Sequence, residues 1–317
     1  MLRISTFFLA IMLALPVAAQ DKTIKFLVGF PAGAGLDTMT RLVADKMRGS
    51  LGQPVVVENR PGAAGQIAMS AVKAATADGL TLVMTPLVTV VTAPHVDAKL
   101  PYDAFADFAP VAHAANFLFA FAIGSSVPAA SLADFVALVK KKDAKYGNYA
   151  SAGTGTLPHF FSFLFADTAG IRMNHIGYRG TAPALTDLLG GQISAFMGVV
   201  SDVAAQHKAG KLRVLATSGA RRARELPDIP TFRELGYNIE GGGWYAAYAP
   251  ARTPKATVDR LASAIVEAIK SPEVRDRLEA LGMEPTGHGS AELARIHKTD
   301  YDKWGPVIKA SGFKPEN

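Results

Sequence analysis

The sequence predicts a two-domain α/β protein in which one cleft separates the domains. Short apolar runs alternate with helical patterns through most of the chain, which is the order expected of parallel strands covered by helices. An apolar strand followed by a loop of small residues and a helix occurs twice, about 120 residues apart. Two apolar-aromatic segments, Asn116–Ile123 and Trp244–Ala249, lie at the edges of the central portion. We interpret them as crossover strands, by which the chain leaves the first domain and returns to it.

The length and composition allow two domains of ordinary size. The chain has 317 residues, of which 49% are hydrophobic and 19% are charged, so buried cores can form and disorder is disfavoured. Cysteine is absent, which excludes disulfides, thiolate metal sites and cysteine nucleophiles.

The first residues have the pattern of a secretory signal peptide. Arg3 gives a positive start, Phe7–Leu15 is an unbroken apolar run, and Pro16–Ala19 ends in small residues. The apolar run is too short for a membrane span, which needs about 20 residues. We expect cleavage between Ala19 and Gln20 and an exported protein, which is periplasmic if the source has two membranes.

Five apolar runs have the length and character of buried strands: 24–28, 54–57, 80–84, 193–197 and 212–217. Helical periodicity marks three segments: 38–51, 131–142 and 157–169. Ser131 is a suitable N-cap for the second of these helices. From Pro254 onward the chain is predicted to be almost entirely helical, over 255–270, 272–281 and about 290–310.

The two crossover segments divide the chain into a discontinuous domain and a continuous one. Domain one is expected to comprise 20–122 and 243–317, and domain two 123–242. This division leaves one of the two strand–loop–helix constructions in each domain.

Each of these constructions can direct backbone N–H groups and a helix N-terminus at an anion. The candidate contacts in the first loop are Phe30, Gly33, Ala34, Gly35, Leu36 and Asp37. Those in the second are Ser151, Ala152, Gly153, Thr154, Gly155, Thr156 and His159. Neither loop carries a set of residues that could perform chemistry, so the pair predicts binding of one anionic ligand between two domains.

The first loop also matches part of a dinucleotide-binding fingerprint, since Gly33 and Gly35 have its spacing. Thr38 stands where the third glycine is required, and Glu58 is the nearest candidate for a ribose contact at a strand end. We favour a tight strand-to-helix turn, with Asp37 as the helix N-cap or as a partner for a cationic group on the ligand.

The second loop is similar to a nucleophile elbow at Ser151, but Tyr149 replaces the first glycine of that motif. Ser151 is therefore a weak nucleophile candidate and a reasonable hydroxyl donor to a ligand oxygen. His159, just inside the following helix, is as consistent with a partly buried structural histidine as with a ligand contact.

Metals, cofactors and nucleic acid are not expected as partners. The histidines lack the His-x-x-x-His and clustered acidic spacings of metal sites. The formal charge is +6, but the basic clusters Lys140–Lys142 and Arg221–Arg224 have no interleaved aromatic residues for base stacking. A solvated helix end or loop is the commoner explanation of such clusters.

A series of motifs follows one order along the chain: Gly29–Asp37, Leu51–Gly65, Ala77–Leu82, Leu100–Asp103, Asp107–Val111, Tyr178–Gln192, Lys208–Arg213, Leu226–Thr231 and Ala249–Pro254. Together they resemble the solute-binding proteins of tripartite tricarboxylate transporters, the Bug family. The resemblance implies a periplasmic-binding-protein fold with two α/β domains joined by two crossover strands. It also implies a small carboxylate ligand, membrane permease subunits as partners, and one ligand carboxylate held by loops 33–37 and 151–156.

The resemblance adds two further loops to the expected site, with Thr85 and Val88 in one and Gly198 and Val199 in the other. Members of the family often have small polar residues in the first and Phe-Asp-Asn at the second, where this chain has Thr85-Pro-Leu-Val-Thr89 and Met197-Gly-Val199. Both departures remove polar groups, so we expect a ligand with an apolar or aromatic body and one key carboxylate, and poor binding of citrate-like polyacids.

Two alternatives to a transport protein stay open. An exported α/β hydrolase-like enzyme would use Ser151 as its nucleophile. A ligand-sensing partner of a membrane kinase would use the same binding fold. We expect a monomer, because nothing in the sequence demands a symmetric interface.

Overall fold

The computed structural model describes residues 22–141, 146–178 and 180–314. The predicted signal peptide, 1–19, and its cleavage point lie outside these residues. The described residues form ten strands: β1 (Ile24–Val28), β2 (Val55–Asn59), β3 (Thr81–Pro86), β4 (Phe108–Gly124), β5 (Asn148–Ser151), β6 (Asn174–Gly177), β7 (Ala195–Val199), β8 (Leu212–Thr217), β9 (Gly242–Pro250) and β10 (Glu284–His288).

Helices alternate with these strands through most of the fold. The α-helices of the described residues are α1 (Gly35–Leu51), α2 (Gln66–Lys73), α3 (Ala93–Val96), α4 (Leu132–Lys140), α5 (Leu157–Ala169), α6 (Thr181–Leu189), α7 (Val200–Lys208), α8 (Lys255–Lys270), α9 (Pro272–Ala280) and α10 (Ser290–Ala310).

The strands form two sheets that share β4. The first sheet has the order β2-β1-β3-β9-β4 and the second β4-β7-β5-β6, with β10 and β8 as additional partners of β4. The pairings among β1, β2 and β3 and among β5, β6 and β7 are parallel, as predicted for strands alternating with helices. The prediction of parallel sheets is wrong for β8, which pairs antiparallel with β4. The crossover strands β4 and β9 have only antiparallel partners.

The long strand β4 carries the chain from the first sheet to the second. Its residues from Phe108 to Leu118 pair with β9, and those from Phe119 onward pair with β7 and β8. The predicted segment Asn116–Ile123 is therefore the part of a 17-residue strand in which the partners change. The crossover is confirmed, and the strand begins eight positions earlier than the sequence pattern indicates.

The return connection runs between β8 and β9. The Gly241 N–H donates to the Ser218 carbonyl (2.8 Å), and the Phe119 N–H donates to the Ser218 hydroxyl (2.9 Å). β9 itself, which contains Trp244–Ala249, pairs with β3 and β4 in the first sheet. These bonds fasten the return connection to β4 beside the point where β4 changes partners.

We propose that the domain limits are those expected from the sequence, with domain one at 20–122 and 243–317 and domain two at 123–242. The change of β4 partners after Leu118 and the start of β9 at Gly242 support both limits to within a few residues.

Helix periodicity predicts the longer helices well because their buried stripes pack on the sheets. In α1 the residues Met39, Val43 and Met47 are fully buried in one core cluster with residues of α8. Ser131 caps α4 through a capping box with Asp134, as predicted. The strand predicted before the second loop is β5, whereas the short elements α2, α6, α7 and β6 were not predicted individually. β10 interrupts the C-terminal region that was expected to be helical.

Two backbone segments of domain one touch where Gly29 faces Gly65. A Cβ atom placed on Gly29 would lie 2.6 Å from the Gly65 Cα atom, closer than any side chain can approach. Gly65 itself has a φ of 94° and begins the approach to α2. The loop after β1 and the loop before α2 are therefore held together by two residues without side chains.

We expect Gly29→Ala to lower the free energy of unfolding by about 1–3 kcal/mol, because the new methyl group must displace the backbone of Gly65. Gly49→Ala, near the end of α1, is the matched control, since a Cβ atom there meets nothing within 4 Å and alanine favours a helix. Urea unfolding of both variants measures the difference. Equal stability of the two variants would contradict the close approach.

Candidate functional site

The carboxyl ends of the parallel strands of both sheets face one cleft. Val199, at the end of β7, pairs with Phe119 just after β4 changes partners, and Leu118 just before that point pairs with Gly242. Pro86, at the end of β3, pairs with Tyr245 of β9. The loops that follow β1 and β3 therefore lie across the cleft from those that follow β5, β6 and β7, the usual position of ligands in open α/β sheets.

The first loop is held by a hydrogen-bond network around Asp37. Oδ2 of Asp37 accepts the Gly33 N–H (2.9 Å) and Nε of Arg41 (3.0 Å), and Oδ1 accepts Nδ2 of Asn59 (2.9 Å). The same Asn59 amide donates to the Phe30 carbonyl (3.1 Å), and its oxygen accepts Nη2 of Arg41 (2.8 Å). The network joins the loop to β2 and to the first two turns of α1.

This geometry corrects the interpretation of Asp37 as the N-cap. Ala34 is the N-cap of α1, and Asp37 is the third residue of the helix, from which its carboxylate reaches back to Gly33. Burial of Asp37 opposes its ionisation, but hydrogen bonds from Arg41, Gly33 and Asn59 outweigh burial and lower its pKa. With only 3% of Asp37 exposed, its carboxylate organises the loop and is not free to meet a cation.

The N–H groups that remain free in the first loop are those at the start of α1. The first helical bond runs from the Thr38 N–H to the Ala34 carbonyl. The N–H groups of Gly35, Leu36 and Asp37 have no acceptor among the described residues. These donors and the positive end of the helix dipole form the anion-binding feature that the sequence predicts.

The second loop is closed by the same kind of hydrogen bond, from a glycine N–H to a side chain of the following helix, but the accepting side chain is different. Gly155, like Gly33, has a positive φ (74° and 85°). The Gly155 N–H donates to Nδ1 of His159 (3.1 Å), which is the third residue of α5. Asp37 and His159 thus occupy equivalent positions, each accepting the N–H of the residue four places before it. One loop is closed by a carboxylate and the other by an imidazole.

His159 and Ser151 belong to a small, partly buried network behind the second loop. The rings of His159 and His175 are stacked with their centroids 3.9 Å apart, and Nε2 of His175 lies 2.7 Å from the Ser151 hydroxyl. Burial lowers the pKa of His159 to about 4, and burial together with the neighbouring His159 lowers the pKa of His175 to about 3. Both imidazoles are therefore neutral near neutral pH.

Ser151 is fully buried, and its hydroxyl donates to the Gly153 carbonyl (2.9 Å). The Thr156 hydroxyl donates to the same carbonyl (2.7 Å), which tightens the loop. Among the described residues no carboxylate hydrogen-bonds to His175, so the Ser–His contact lacks the acid that orients a catalytic imidazole. The sequence could not show this contact, because the two residues meet only when β5 pairs with β6.

A cavity of about 380 Å³ lies between the two domains and reaches the second loop. Its lining residues come from both sides of the cleft: Ala64, Gln66, Val88, Thr92, Ala93, Val96, Asp97, Thr154, Gly155, Thr156 and Phe313. Val88 and the three loop residues were predicted, and the others were not. The Leu51–Gly65 motif was the available signal for Ala64, whereas Phe313 is brought here only by the end of α10.

The loop before α2 is strained where it meets this cavity. Ala63 and Ala64 have φ values of 45° and 51°, in the left-handed region that residues with a Cβ atom seldom occupy. Strain of this kind is concentrated at ligand sites, where the surrounding structure holds it in place.

The other predicted contacts, Thr85, Gly198 and Val199, lie at the ends of β3 and β7. The Thr85 hydroxyl is buried and bonds to the Thr89 hydroxyl (2.8 Å). Gly198 is buried in β7, where a Cβ atom would lie 2.2 Å from the Phe196 ring. Val199 is partly exposed and precedes the first turn of α7. Contact of these residues with a ligand stays a prediction.

Within the described ranges, no group of three or more His, Asp and Glu side chains is arranged to hold a metal ion. None of the helices built by these residues combines the length and the hydrophobicity that a bilayer-spanning helix requires.

Two α/β domains around one cleft, with a helix N-terminus presented from each side, define a binding protein of the periplasmic solute-binding class. Residues 39–313 match the family described as "Tripartite tricarboxylate transporter family receptor". The chain belongs to this family of receptors.

Solved structures agree with the family and confirm the predicted fold class. The periplasmic binding protein BugD is 29% identical and superimposes with a TM-score of 0.77 over 93% of this chain and 99% of that one. MatC from Rhodopseudomonas palustris, solved with malate, is 29% identical (TM-score 0.76, 90% and 98% covered). The R. palustris protein Rpa4515, solved with adipate, is 28% identical (TM-score 0.81, 93% and 98% covered).

Replacement of Asp37 by Asn should release the first loop. Asp37→Asn removes the ion pair with Arg41 and one of the acceptor oxygens, so we expect a loss of about 2 kcal/mol in the free energy of unfolding. Because the pKa of Asp37 is lowered in the folded protein, its contribution is complete above its ordinary pKa and disappears as the pH falls through the folded value.

Chemical denaturation at neutral pH and near pH 3 measures this difference between wild type and variant. Asp45→Asn, on the same helix in an exposed pair with Arg48, is the control and should change stability little. A loss in Asp37→Asn that is as large at acid pH as at neutral pH would contradict the role of the ionised carboxylate.

The partly buried histidines His159 and His175 predict acid sensitivity of domain two. Their folded pKa values lie below the ordinary value near 6.5, so protons bind preferentially to the unfolded chain. Stability should be complete above about pH 6.5 and should fall as the pH approaches the folded values. His159→Gln keeps an acceptor for the Gly155 N–H and does not titrate, so its melting temperature should fall less between about pH 7 and pH 5. An identical fall in both proteins would refute this account.

Proposed function

We propose that this protein is an extracytoplasmic solute-binding protein that captures a small carboxylate by closure of the cleft and delivers it to a tripartite-type membrane permease. The observation that carries the proposal is the pair of equivalent loops, one in each domain, each closed at its glycine and each followed directly by a helix start. MatC and Rpa4515, the relatives solved with malate and adipate, support a carboxylate as the ligand.

The binding loops provide donors that need no rearrangement. Their glycine N–H groups are already occupied by Asp37 and His159, so the helix-start N–H groups are left for the ligand carboxylate. Because donors come from both domains, the ligand interacts fully only with the closed form and shifts the population toward it. The permease then distinguishes the closed shape from the open one.

Ion pairs on the side of β10 support a closed arrangement. Arg221 and Arg224, in the region after β8, pair with Glu284 (3.8 Å) and Glu279 of the C-terminal region. The side chains of both pairs are at least partly exposed, so each pair contributes little energy and can break when the domains separate.

The cavity supports a ligand with an apolar or aromatic body. Ala64, Val88 and Val96 present hydrocarbon from domain one, and Phe313 presents an aromatic ring beside Gly155. A flat or aliphatic body would replace water on these surfaces, while its carboxylate takes the helix-start N–H groups. Citrate would leave further carboxylates without partners and would bind weakly.

The proposal places the protein in the periplasm after removal of residues 1–19 between Ala19 and Gln20. Membership of a family of periplasmic receptors supports this location. A monomer without a cofactor, metal or nucleic-acid partner is sufficient for capture and delivery. A sensing role beside a membrane kinase would use the same cleft. It would differ only in the partner protein that binds the closed form.

The hydrolase alternative is favoured by one observation, the 2.7 Å contact between Ser151 and His175. Burial of Ser151 and the bond of its hydroxyl to Gly153 weigh against it. Turnover of ester substrates by the wild type that is abolished by Ser151→Ala would establish an enzyme in place of a receptor.

The proposed function is tested by placing a carboxylate at the start of α1. Ala34 is the exposed N-cap, where Asp is a favourable residue that would occupy the free helix N–H groups and repel an anion. Binding of benzoate, adipate, malate and citrate to residues 20–317 is measured by calorimetry and thermal shift. We expect benzoate or adipate to bind more tightly than citrate, and Ala34→Asp to weaken binding at least about tenfold while leaving the protein folded.

Ala256→Asp, in the exposed first turn of α8, adds the same charge at a helix start away from the cleft and should leave binding unchanged. A ligand at about a hundred times its dissociation constant adds about 2.7 kcal/mol of stability, so real binding is readily detected. Absence of binding by every carboxylate, or equal effects of the two Asp variants, would overturn the proposed site. Equal affinity for citrate and benzoate would remove only the apolar preference.

A further inference from the structure

The two strand–loop–helix constructions differ in what surrounds their closing glycines. A Cβ atom placed on Gly33 would meet nothing within 4 Å among the described residues. A Cβ atom placed on Gly155 would lie 3.1 Å from one atom of the Phe313 ring and 3.6 and 3.7 Å from two others. The glycine of the second loop is therefore covered by a side chain that comes from the other domain.

The Phe313 ring also packs on the start of α5. Its centroid lies 5.9 Å from that of the His159 ring and 5.5 Å from that of the Phe160 ring, both in edge-to-face geometry. The Phe313 side chain is partly exposed, and it lines the interdomain cavity together with residues 154–156. One ring thus contacts the second loop, the helix that follows this loop, and the cavity.

Phe313 follows a helix that is fixed to domain one. In α10, Nε2 of His297 donates to the Val90 carbonyl (2.9 Å), and Oδ2 of Asp300 accepts the indole N–H of Trp244 (2.7 Å). Val90 lies just after β3, and Trp244 lies on β9, so both bonds join α10 to the first sheet of the protein. The middle of α10 is therefore positioned by domain one.

Hydrogen bonds hold the segment Ser311–Phe313 to the end of α10. The Ser311 hydroxyl donates to the Ile308 carbonyl (2.7 Å), and the Phe313 N–H donates to the Ser311 hydroxyl (3.2 Å). Gly312 has a φ of 68°, which turns the chain out of the helix direction. The position of the Phe313 ring is therefore set by α10 and, through α10, by domain one.

The second loop has a weaker closing bond than the first loop. The Gly33 N–H donates to the ionised carboxylate of Asp37, whereas the Gly155 N–H donates to the neutral imidazole of His159. Hydrogen bonds to a charged acceptor are roughly twice as strong as those between neutral groups. The Phe313 ring contacts both partners of the weaker bond, so its packing can supply the support that the missing charge does not.

We propose that Phe313 is a positioning residue for the second loop, which keeps the bond between Gly155 and His159 closed and so holds the start of α5 in the geometry that binds a carboxylate. A loop that is ordered before the ligand arrives loses less entropy on binding, so the ring raises affinity. This inference rests on the proposed function and adds to it a residue by which domain one stabilises the binding loop of domain two.

Amide hydrogen exchange tests the positioning role in the absence of a ligand. We expect Phe313→Ala in residues 20–317 to accelerate exchange of the Gly155 amide by about tenfold or more, because its bond to His159 opens more often. The Gly33 amide of the equivalent first loop is an internal reference and should keep its rate. Phe313→Tyr retains the ring and should retain the wild-type rate at Gly155. Exchange is followed by NMR.

Phe105→Ala is the matched control variant. Phe105 is also an aromatic residue that is accessible to solvent and packs on α10, and its ring is stacked on that of His297 with the centroids 4.3 Å apart. It does not line the cavity that contains Phe313. Loss of its ring should leave exchange of the Gly155 amide unchanged.

Calorimetry with adipate and benzoate measures the consequence for binding. Phe313→Ala should weaken whichever of these carboxylates the wild type binds by about five- to twentyfold, because the second loop must then be ordered at the time of binding. Phe313→Tyr should bind within about twofold of the wild type, and so should Phe105→Ala.

The outcomes separate this inference from the proposed function. Unchanged exchange at Gly155 in Phe313→Ala, or equal acceleration at Gly33 and Gly155, would overturn the positioning role. Wild-type affinity of Phe313→Ala would overturn its contribution to binding. If the wild type binds neither carboxylate, the proposed function is contradicted, and the exchange rates still decide the role of Phe313. If Phe313→Ala does not fold, Phe313→Leu, which is apolar but lacks the ring, is used for the same comparison.

Discussion

The position at which β4 changes partners fixes the location of the cleft and of every loop that lines it. Leu118 is the last residue of β4 paired in the first sheet, and Phe119 is the first paired in the second. Because the parallel strands of both sheets end on the same side, residues that follow β2, β3 and β5 line one cavity between the domains. The hinge and the ligand site therefore both depend on the position at which β4 changes partners. Ser218 stabilises this position because it hydrogen-bonds to both Phe119 and Gly241.

The two strand–loop–helix constructions close their loops in the same way with different side chains. In each, the third residue of the helix turns its side chain back and accepts the N–H of a glycine in the preceding loop. Asp37 is paired with Arg41 and buried, whereas His159 is neutral and stacked on His175. The same backbone geometry is therefore stabilised by a carboxylate in one domain and by an imidazole in the other.

The two domains contact each other through ion pairs at the surface and through buried aromatic side chains beneath it. The ion pairs of Arg221 and Arg224 join the region after β8 to the C-terminal region. Phe161 of α5 packs against Trp304 of α10 with the ring centroids 6.2 Å apart, and both belong to one core cluster that includes residues of both domains. Movement of the domains about the shared strand must therefore shift these aromatic contacts as well as break the ion pairs.

The sequence alone determined the class of fold, the longer helices and strands, and the identity of the two main loops. These features depend on local patterns: apolar periodicity in α1 and α5, small residues at 33–35 and 151–155, and capping by Ser131. The ordered family motifs extended this local information to the whole chain. The sequence identified the loops that carry backbone N–H donors. It did not show which of these N–H groups are free, because any of them could have had an acceptor.

Only the tertiary structure decided which of those donors are occupied and which distant side chains join them. Asn59 reaches Asp37 because β2 pairs with β1, and His175 reaches Ser151 because β6 pairs with β5. Such contacts join residues far apart in the chain, and no local spacing encodes them, because strand pairing and domain crossing set the distances.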